Sequence, residues 1–286
     1  MDRIVSHFVH YVKRKVVLFD YGNPRSSWFK RNQPDDQGFD APNYHLTLAV
    51  TGPAARVEID DTIWLFSQLS SPWGSLPPAL DARIVVSAIS PTEVSVPVTS
   101  GGKATKSKEK KPGLLFDAGE GSSWVPLFDA SNYLIKLKTV QRPCKSSEIL
   151  ADLLSYPEHH PGKAMQRMRE LANPELLIDL ERTIEDAEFD FVSYRLFDGT
   201  RAAFETCLQL MRGGRVVWWD RWCLPRRLAE WREKLNDQKL NYHILNQINV
   251  SERVWGIESK SYAQEGSFSL REKRLATTLG KYCPSP

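Results

Sequence analysis

The chain has 286 residues, of which 41% are hydrophobic and 26% charged, and its formal net charge is +3 at pH 7. The stretch from Lys103 to Lys111 contains five lysines and one glutamate, so the rest of the chain is close to neutral. This balance excludes a protein coated in basic surface for nucleic-acid binding, although a local basic patch is compatible with it. With 9 Trp, 12 Phe and 9 Tyr, the chain also has too many core-forming side chains to be disordered.

The sequence predicts neither a membrane protein nor a secreted one. No apolar run reaches the roughly 18 residues that a membrane-spanning helix needs, and the N-terminus lacks the basic and apolar regions of a signal peptide. Cys144, Cys207, Cys223 and Cys283 are far apart and form no CxxC pair, which predicts neither a zinc site nor a disulfide framework. We expect a cytoplasmic protein without a bound metal.

Residues 1–145 are predicted to form a mostly β, barrel-like domain. Short apolar runs rich in Val, Ile and aromatic residues, separated by turn formers, indicate strands at residues 4–12, 16–19, 44–50, 62–69 and 83–89. The lysine-rich residues 99–112 have no apolar period, which predicts a solvated loop between two strands. Asp60-Asp61 before an apolar strand, a Pro/Gly loop and a second strand resemble the small PUA/EVE-type barrels that bind modified bases.

Residues 146–187 are predicted to be a helical connector, with helices at 147–154, 162–172 and 174–186. His159 and His160 lie between two prolines and have no carboxylate or cysteine at ligand spacing. They are therefore expected to be exposed loop residues instead of a metal pair.

Residues 188–286 follow a different pattern, in which strands alternate with helices. A strand at 188–195 is followed by a helix at 200–211 and a strand at 215–219, a spacing typical of a βαβ unit with a parallel sheet. A helix at 243–250, a third strand at 253–259 and a last helix follow. The sequence therefore predicts an α+β protein of two domains, the second of which is α/β.

Four features of this C-terminal segment carry a family resemblance. They are a strand at 189–195 followed by Asp198, a strand that ends in Asp220 before Leu224-Pro225, an apolar strand between Ser251 and Ser259 with Tyr262 three residues on, and Phe268 four residues before Glu272. In this order they resemble the Toll/interleukin-1 receptor (TIR) domain, particularly its bacterial NAD-cleaving members. The chain departs from the family in having Phe268-Ser269 for Trp-Cys, Arg226 for a loop glycine, and few residues after Glu272 for a last strand and helix.

The resemblance implies a flavodoxin-like fold, NAD+ as substrate without a separate cofactor, and Glu272 as the catalytic residue. Breaking the nicotinamide–ribose bond leaves an oxocarbenium-like ribose, which a carboxylate beside the sugar would stabilise. Phe268, one helical turn before Glu272, would pack on nicotinamide, and Arg195 would bind a pyrophosphate oxygen. Tyr194, Asp198 and Asp220 complete the expected dinucleotide-binding residues.

Taken without the resemblance, the same residues suggest simpler roles. Glu272 lies among Arg271, Lys273 and Arg274, where a glutamate is usually an exposed surface charge. Phe268 would belong to the core, and Asp220 would orient the loop that follows it or cap that loop through backbone N–H groups.

The resulting functional hypothesis is an NAD+ glycohydrolase or cyclase of bacterial antiphage defence. It would assemble as a homo-oligomer through the TIR-like domain and respond to a nucleic-acid or small-molecule trigger at the N-terminal domain. The alternatives are a non-catalytic TIR oligomerisation module and a nucleoside deoxyribosyltransferase-like enzyme, in which the carboxylate is a covalent nucleophile.

Overall fold

The computed structural model describes residues 4–18, 27–31, 38, 41–100, 103–141, 146–149, 165, 167–196, 198–224 and 237–284. Strands dominate the first half of the chain and alternate with helices in the last third. In chain order the strands are β1 His7–Tyr11, β2 Arg14–Leu18, β3 Ser27–Arg31, β4 Tyr44–Thr47, β5 Thr62–Ser67, β6 Leu69–Ser71, β7 Gly74–Ser75, β8 Ala79–Ser100, β9 Lys103–Ala118, β10 Ser123–Trp124, β11 Lys138–Gln141, β12 Ser146–Ile149, β13 Arg169–Glu170, β14 Phe189–Ser193, β15 Val216–Trp218, β16 Arg253–Gly256 and β17 Tyr282–Pro284. The helices are α1 Ser131–Leu134, α2 Glu175–Glu185, α3 Thr200–Arg212, α4 Asp220–Cys223, α5 Asp237–Val250 and α6 Phe268–Thr278, with a 3-10 turn at Gly52–Arg56.

A mixed sheet organises the first half of the chain, in the order β13-β1-β5-β8-β9-β4 with β10 against β8. β1 is parallel to β5, whereas β5, β8, β9 and β4 pair antiparallel in succession. Every residue of β5 is buried, as its apolar sequence requires for a strand covered on both faces. A second sheet has the order β3-β2-β6-β7. The predicted strands of this half are present in these two sheets as β1, β2, β4, β5 and β8, and the described pairings close neither sheet into a barrel.

The prediction of a solvated loop at residues 99–112 is wrong. The lysine-rich segment belongs to β9, which pairs antiparallel with β8 from Ser100↔Lys103 to Val86↔Ala118. Residues 108–112 are exposed, which explains why the segment shows no apolar period although its backbone is a strand. An apolar period appears only where one face of a strand is buried, and at residues 108–112 both faces are exposed.

The connector at residues 146–187 is only partly helical. Ser146–Ile149 is a strand paired antiparallel with Lys138–Gln141, and Arg169–Glu170 is a strand paired with β1, so the helices predicted at 147–154 and 162–172 are wrong where these segments are described. His159 and His160 lie outside the described residues. The helix predicted at 174–186 is confirmed as α2, which begins immediately after Pro174.

The last third forms a parallel sheet with the order β15-β14-β16-β17, which confirms the predicted parallel arrangement. Phe191 of β14 lies opposite Trp218 of β15, and their rings stack with centroids 4.8 Å apart. β17 supplies a fourth strand in the short segment after α6, where the sequence suggested little room for one. The opposite edge is extended by Leu127, which exchanges two backbone hydrogen bonds of 3.0 and 2.8 Å with Val217.

One apolar core joins the two halves of the chain. Val16, Leu69, Leu76, Ala79 and Leu127 of the first half are buried in the same cluster as the side chains of α3 and β15. Burial of one such side chain contributes about 1.5–3 kcal/mol to stability, so the contact is a substantial part of the fold. The domain boundaries expected near residues 145 and 188 stay a prediction.

Candidate functional site

The carboxyl ends of the parallel strands meet at one edge of the C-terminal sheet. β14 ends at Ser193, β15 at Trp218 and β16 at Gly256. The chain passes from β14 to β15 on one side and then returns to β16 on the other side of β14. Open α/β sheets bind ligands outside the carboxyl ends of their strands at such a reversal of strand order.

Helix α6 places Glu272 at this edge. Ser267 caps the helix, since its hydroxyl accepts a hydrogen bond of 3.2 Å from the backbone N–H of Leu270. Ser269, Glu272 and Ala276 form the buried stripe of the helix at spacings of three and four residues. Glu272 is only 7% exposed, so it is not a surface charge in spite of its basic neighbours.

The Glu272 carboxyl is held by the last residue of β14. The Ser193 hydroxyl donates a hydrogen bond to Oε2 of Glu272, and both groups are buried. Burial raises the pKa of Glu272 to about 8, since the Ser193 hydrogen bond offsets only part of the desolvation and the nearby Asp220 charge raises the pKa further. Without a ligand, Glu272 therefore holds a proton near neutral pH, and a bound cation would favour its ionised form.

Tyr262 completes a buried polar chain with these two residues. Its hydroxyl oxygen lies 2.8 Å from Oγ of Ser193, and burial raises the pKa of the phenol, which stays neutral. The Tyr262 carbonyl accepts hydrogen bonds from the hydroxyls of Ser267, at 3.2 Å, and Ser269, at 2.5 Å. The loop after β16 is thereby fastened to the start of α6.

A second group of polar residues follows β15. Nε of Arg221 donates a hydrogen bond of 2.7 Å to the Tyr194 hydroxyl, and burial raises the pKa of Tyr194 well above its usual value. Asp220 opens α4 but does not cap it, because Trp219 is the capping position and provides no side-chain bond. Oδ1 of Asp220 is buried and has no hydrogen-bond partner within the described part of the chain.

Asp198 anchors the loop that follows β16. Its carboxylate accepts hydrogen bonds from the Ser259 hydroxyl at 2.5 Å, the Ser261 hydroxyl at 2.6 Å and the Ser261 backbone N–H at 3.0 Å. Desolvation raises the pKa of Asp198, but the hydrogen bonds from Ser259 and Ser261 outweigh it and leave the pKa below its ordinary value. Asp198 therefore joins the loops after β14 and β16.

The two remaining residues suggested by the sequence lie at the same edge of the sheet. Phe268 is half-buried and packs against the core at the first position of α6. Arg195 is half-buried two residues after the end of β14, and its charge acts on Asp198. Within the described residues, no hydrogen bond joins Arg195 to Glu272.

Sequence reasoning assigned Glu272, Asp220 and Tyr194 to one expected site but overlooked Ser193 and Arg221. The signal for Ser193 was present, since it is a hydroxyl residue that ends an apolar strand at the edge where ligands bind. Nothing local distinguishes Arg221 from other arginines, because its role depends on Tyr194, which lies 27 positions earlier in the sequence.

Comparisons with protein-family models, with curated proteins and with solved structures give no match. Within the described ranges, no group of three or more His, Cys, Asp or Glu side chains could hold a metal ion. Cys207, Cys223 and Cys283 are free thiols, and no described helix is long and apolar enough to cross a bilayer.

The arrangement provides a carboxyl group in a low-dielectric site with a hydroxyl donor fixed on it. Such a group interacts more strongly with a developing positive charge than it would in water. It could also exchange a proton near neutral pH, because its pKa lies at about 8.

Proposed function

We propose that the protein cleaves the N-glycosidic bond of NAD+ and releases nicotinamide, with Glu272 as the catalytic residue. The observation that carries the proposal is the buried hydrogen bond from Ser193 to Glu272 at the carboxyl end of β14. It places a desolvated carboxyl group, oriented by a strand, where an open parallel sheet binds its ligand.

The chemistry needs a negative charge and no proton donor. Nicotinamide leaves as a neutral molecule from a cationic ring, and positive charge develops on the ribose. Water takes the place of nicotinamide on the ribose carbon and loses a proton, so that ADP-ribose is the second product. NAD+ brings the cationic ring close to Glu272, which favours loss of the carboxyl proton as the substrate binds. Ser193 would hold the carboxylate in one orientation throughout, and an oriented group loses little energy to reorganisation.

The neighbouring residues supply contacts suited to a dinucleotide. Oδ1 of Asp220, which has no hydrogen-bond partner among the described residues, could accept a hydrogen bond from a ribose hydroxyl. Arg195 would bind a pyrophosphate oxygen, and Phe268 would pack on the nicotinamide ring. Tyr194 and Asp198 would shape the binding site at the carboxyl ends of the strands, Tyr194 through Arg221 and Asp198 through the loop that it anchors.

The strand order β15-β14-β16-β17 is that of the first four strands of a flavodoxin-like sheet, and it supports assignment to the TIR type. In this proposal the protein is a defence effector that acts as a homo-oligomer through its C-terminal third. The β-rich first half would respond to a nucleic-acid or small-molecule trigger.

The test is nicotinamide release from NAD+ by the purified full-length protein, followed by chromatography over a range of protein concentrations and with added nucleic acids. Glu272→Gln should abolish release, while Glu265→Gln should keep it, because the Glu265 side chain is 86% exposed. Absence of release by the wild type under all these conditions, or full activity of Glu272→Gln, would sink the proposal. Oligomers that form equally in both variants without binding NAD+ would indicate a scaffold module.

The enclosed position of Glu272 also favours a second candidate, a nucleoside deoxyribosyltransferase-like enzyme. Glu272 would attack the sugar carbon as the ionised carboxylate and form a covalent intermediate, so the activity should rise with pH toward the pKa of about 8. Incubation with deoxyribonucleosides followed by peptide mass spectrometry tests this candidate. A deoxyribosyl adduct on Glu272 would favour it over NAD+ cleavage.

A further inference from the structure

Arg14 is a buried arginine that connects the first half of the chain with helix α4. It is 2% exposed, and its ion-pair partner Asp81 is 1% exposed. Nη2 of Arg14 binds Oδ1 of Asp81, while Nη1 donates a hydrogen bond of 2.7 Å to the backbone carbonyl of Trp222. The guanidinium carbon also lies 4.1 Å from the centroid of the Trp222 ring, within cation–π range.

The partners of Arg14 are themselves fixed. The Ser67 hydroxyl lies between Asp81 and the backbone, 3.2 Å from Oδ2 of Asp81 and 2.6 Å from the Val12 carbonyl, to which it donates. Nε1 of Trp222 donates a hydrogen bond of 2.9 Å to the carbonyl of Val125. Trp222 is therefore held through its backbone and its ring by residues from the first half of the chain.

Helix α4 depends on such external contacts because it has only four residues, Asp220–Cys223. Its backbone supplies hydrogen bonds of 2.9 Å from Cys223 to Trp219 and of 2.8 Å from Leu224 to Asp220. A helix this short is unstable without tertiary contacts.

The residues before Trp222 in α4 belong to the candidate site. Arg221 donates to the Tyr194 hydroxyl, and the Asp220 charge raises the pKa of Glu272. Both side chains lie within two residues of the carbonyl that Arg14 holds, so their direction depends on the orientation of that short turn.

We propose that Arg14, held by Asp81, is a positioning residue that fixes α4 so that Asp220 and Arg221 are held at the carboxyl end of the parallel sheet, beside Glu272 and Tyr194. The first half of the chain would then be part of the scaffold of the site. This inference rests on the proposed function only for its activity measurement, since the order of α4 can be measured without substrate.

The decisive variant is Arg14→Met/Asp81→Leu. Replacing a buried ion pair by apolar residues of similar volume is often neutral for stability, but it removes the hydrogen bond to the Trp222 carbonyl. The matched control is Arg83→Met/Glu181→Leu, which removes an ion pair with a buried Glu181 in the first-half sheet and α2. Both variants are made in the full-length chain.

The first measurement is hydrogen exchange of the backbone amides of Trp222, Cys223 and Leu224, read by mass spectrometry. In the Arg14→Met/Asp81→Leu variant these amides should exchange about tenfold faster or more, the size expected from loss of one charge-assisted hydrogen bond. Cys223, buried in the wild type, should be alkylated faster, while Cys207 in α3 stays protected. Unchanged exchange at α4 in a folded variant would overturn the proposal.

The second measurement is the kcat and KM of nicotinamide release. A positioning role predicts a kcat lowered about tenfold or more, with the control variant close to wild type. Faster exchange with an unchanged kcat would reduce Arg14 to a structural residue and also overturn the proposal. If the wild type releases no nicotinamide, the proposed function fails, and the exchange measurement still decides whether Arg14 orders α4.

Should the double variant fail to fold, Arg14→Lys serves the same purpose. A lysine keeps a positive charge beside Asp81 but lacks the planar fork that contacts Asp81 and the Trp222 carbonyl at once. Faster exchange confined to α4 supports the proposal, and wild-type exchange contradicts it.

Discussion

The Ser193 hydroxyl donates a hydrogen bond to Oε2 of Glu272 across 79 positions of sequence, and it thereby joins the end of the first parallel strand to the last described helix. Both groups are buried, so folding removes water from the carboxyl group and replaces it with one hydroxyl donor. The predictions for this pair concern the proton on Glu272, because burial raises its pKa to about 8.

Glu272→Gln should make the protein more stable than the wild type at alkaline pH. The unfolded carboxyl loses its proton near its ordinary pKa of 4.5, but the folded one keeps it up to about pH 8. Between these values stability therefore falls as pH rises, by roughly 3–5 kcal/mol in total. Glutamine has no proton to lose and escapes this penalty.

Urea unfolding at pH 5, 7 and 9 measures the effect. The stability difference between Glu272→Gln and the wild type should grow from pH 5 to pH 9, while the exposed Glu265→Gln should follow the wild type throughout. A difference that does not change with pH would show that Glu272 ionises normally.

Ser193→Ala should raise the pKa of Glu272 further, since the lost hydrogen bond stabilises the ionised carboxylate. The pair Ser193→Ala and Ser193→Ala/Glu272→Gln, unfolded across the same pH range, reports this pKa independently of any activity. Their stability difference should keep growing above pH 8. Tyr262→Phe is the matched control, because it removes a hydroxyl bonded to Ser193 and leaves the Glu272 bond in place. An equal effect of both substitutions would contradict a direct role for the Ser193 bond.

Much of the C-terminal architecture could be predicted from sequence because its signals are local. Phe189–Ser193 and Val216–Trp218 are apolar runs, and α3 between them carries its apolar residues on one face. The errors lie where partners decide the structure. Arg169–Glu170 is a short polar segment whose strand conformation comes from pairing with β1, which is distant in the sequence. Ser146–Ile149 is also short and polar, and its strand conformation comes from antiparallel pairing with the neighbouring strand Lys138–Gln141.

In the candidate site, too, some features are visible in the local sequence and others depend on tertiary contacts. The position of Glu272 four residues after Phe268 is visible in the sequence, but its charged neighbours suggest exposure. Its burial follows from the cap at Ser267 and from the packing of α6 against the parallel strands. The contact between Arg14 and Trp222 spans 208 positions, and no local pattern indicates such a pair.

Asp190 is expected to be a main source of stability at the amino end of the parallel sheet. It is fully buried and binds Arg215 through hydrogen bonds of 3.0 and 3.2 Å and Arg253 through one of 3.1 Å. Asp190→Leu removes the buried partner of both arginines, which keep Glu252 as a second partner, and the loss of these charge-assisted hydrogen bonds should cost about 1.5–3 kcal/mol in unfolding free energy.

The control for Asp190 is an exposed ion pair. Nε of Arg201 and Oε1 of Glu205 lie 2.8 Å apart on the exposed face of α3. Glu205→Ala removes this ion pair and should lower the free energy of unfolding by only about 0.5 kcal/mol. Denaturant titration of both variants at pH 7 measures how much unfolding free energy each one loses relative to the wild type. Comparable losses would mean that the Asp190 network contributes no more than a surface pair.

Asp198→Asn should loosen the loop that follows β16, because an amide accepts fewer and weaker hydrogen bonds than the carboxylate that binds Ser259 and Ser261. The pKa of Asp198 is depressed in the fold, so its contribution to stability is present above its unfolded pKa and lost as pH falls through the folded value. The melting temperature of Asp198→Asn should therefore lie below that of the wild type at pH 7, and the two should converge in strong acid. Ser259→Ala removes only one of the three hydrogen bonds and should give a smaller loss, so a loss as large as that of Asp198→Asn would assign the anchoring to the serine instead of the carboxylate.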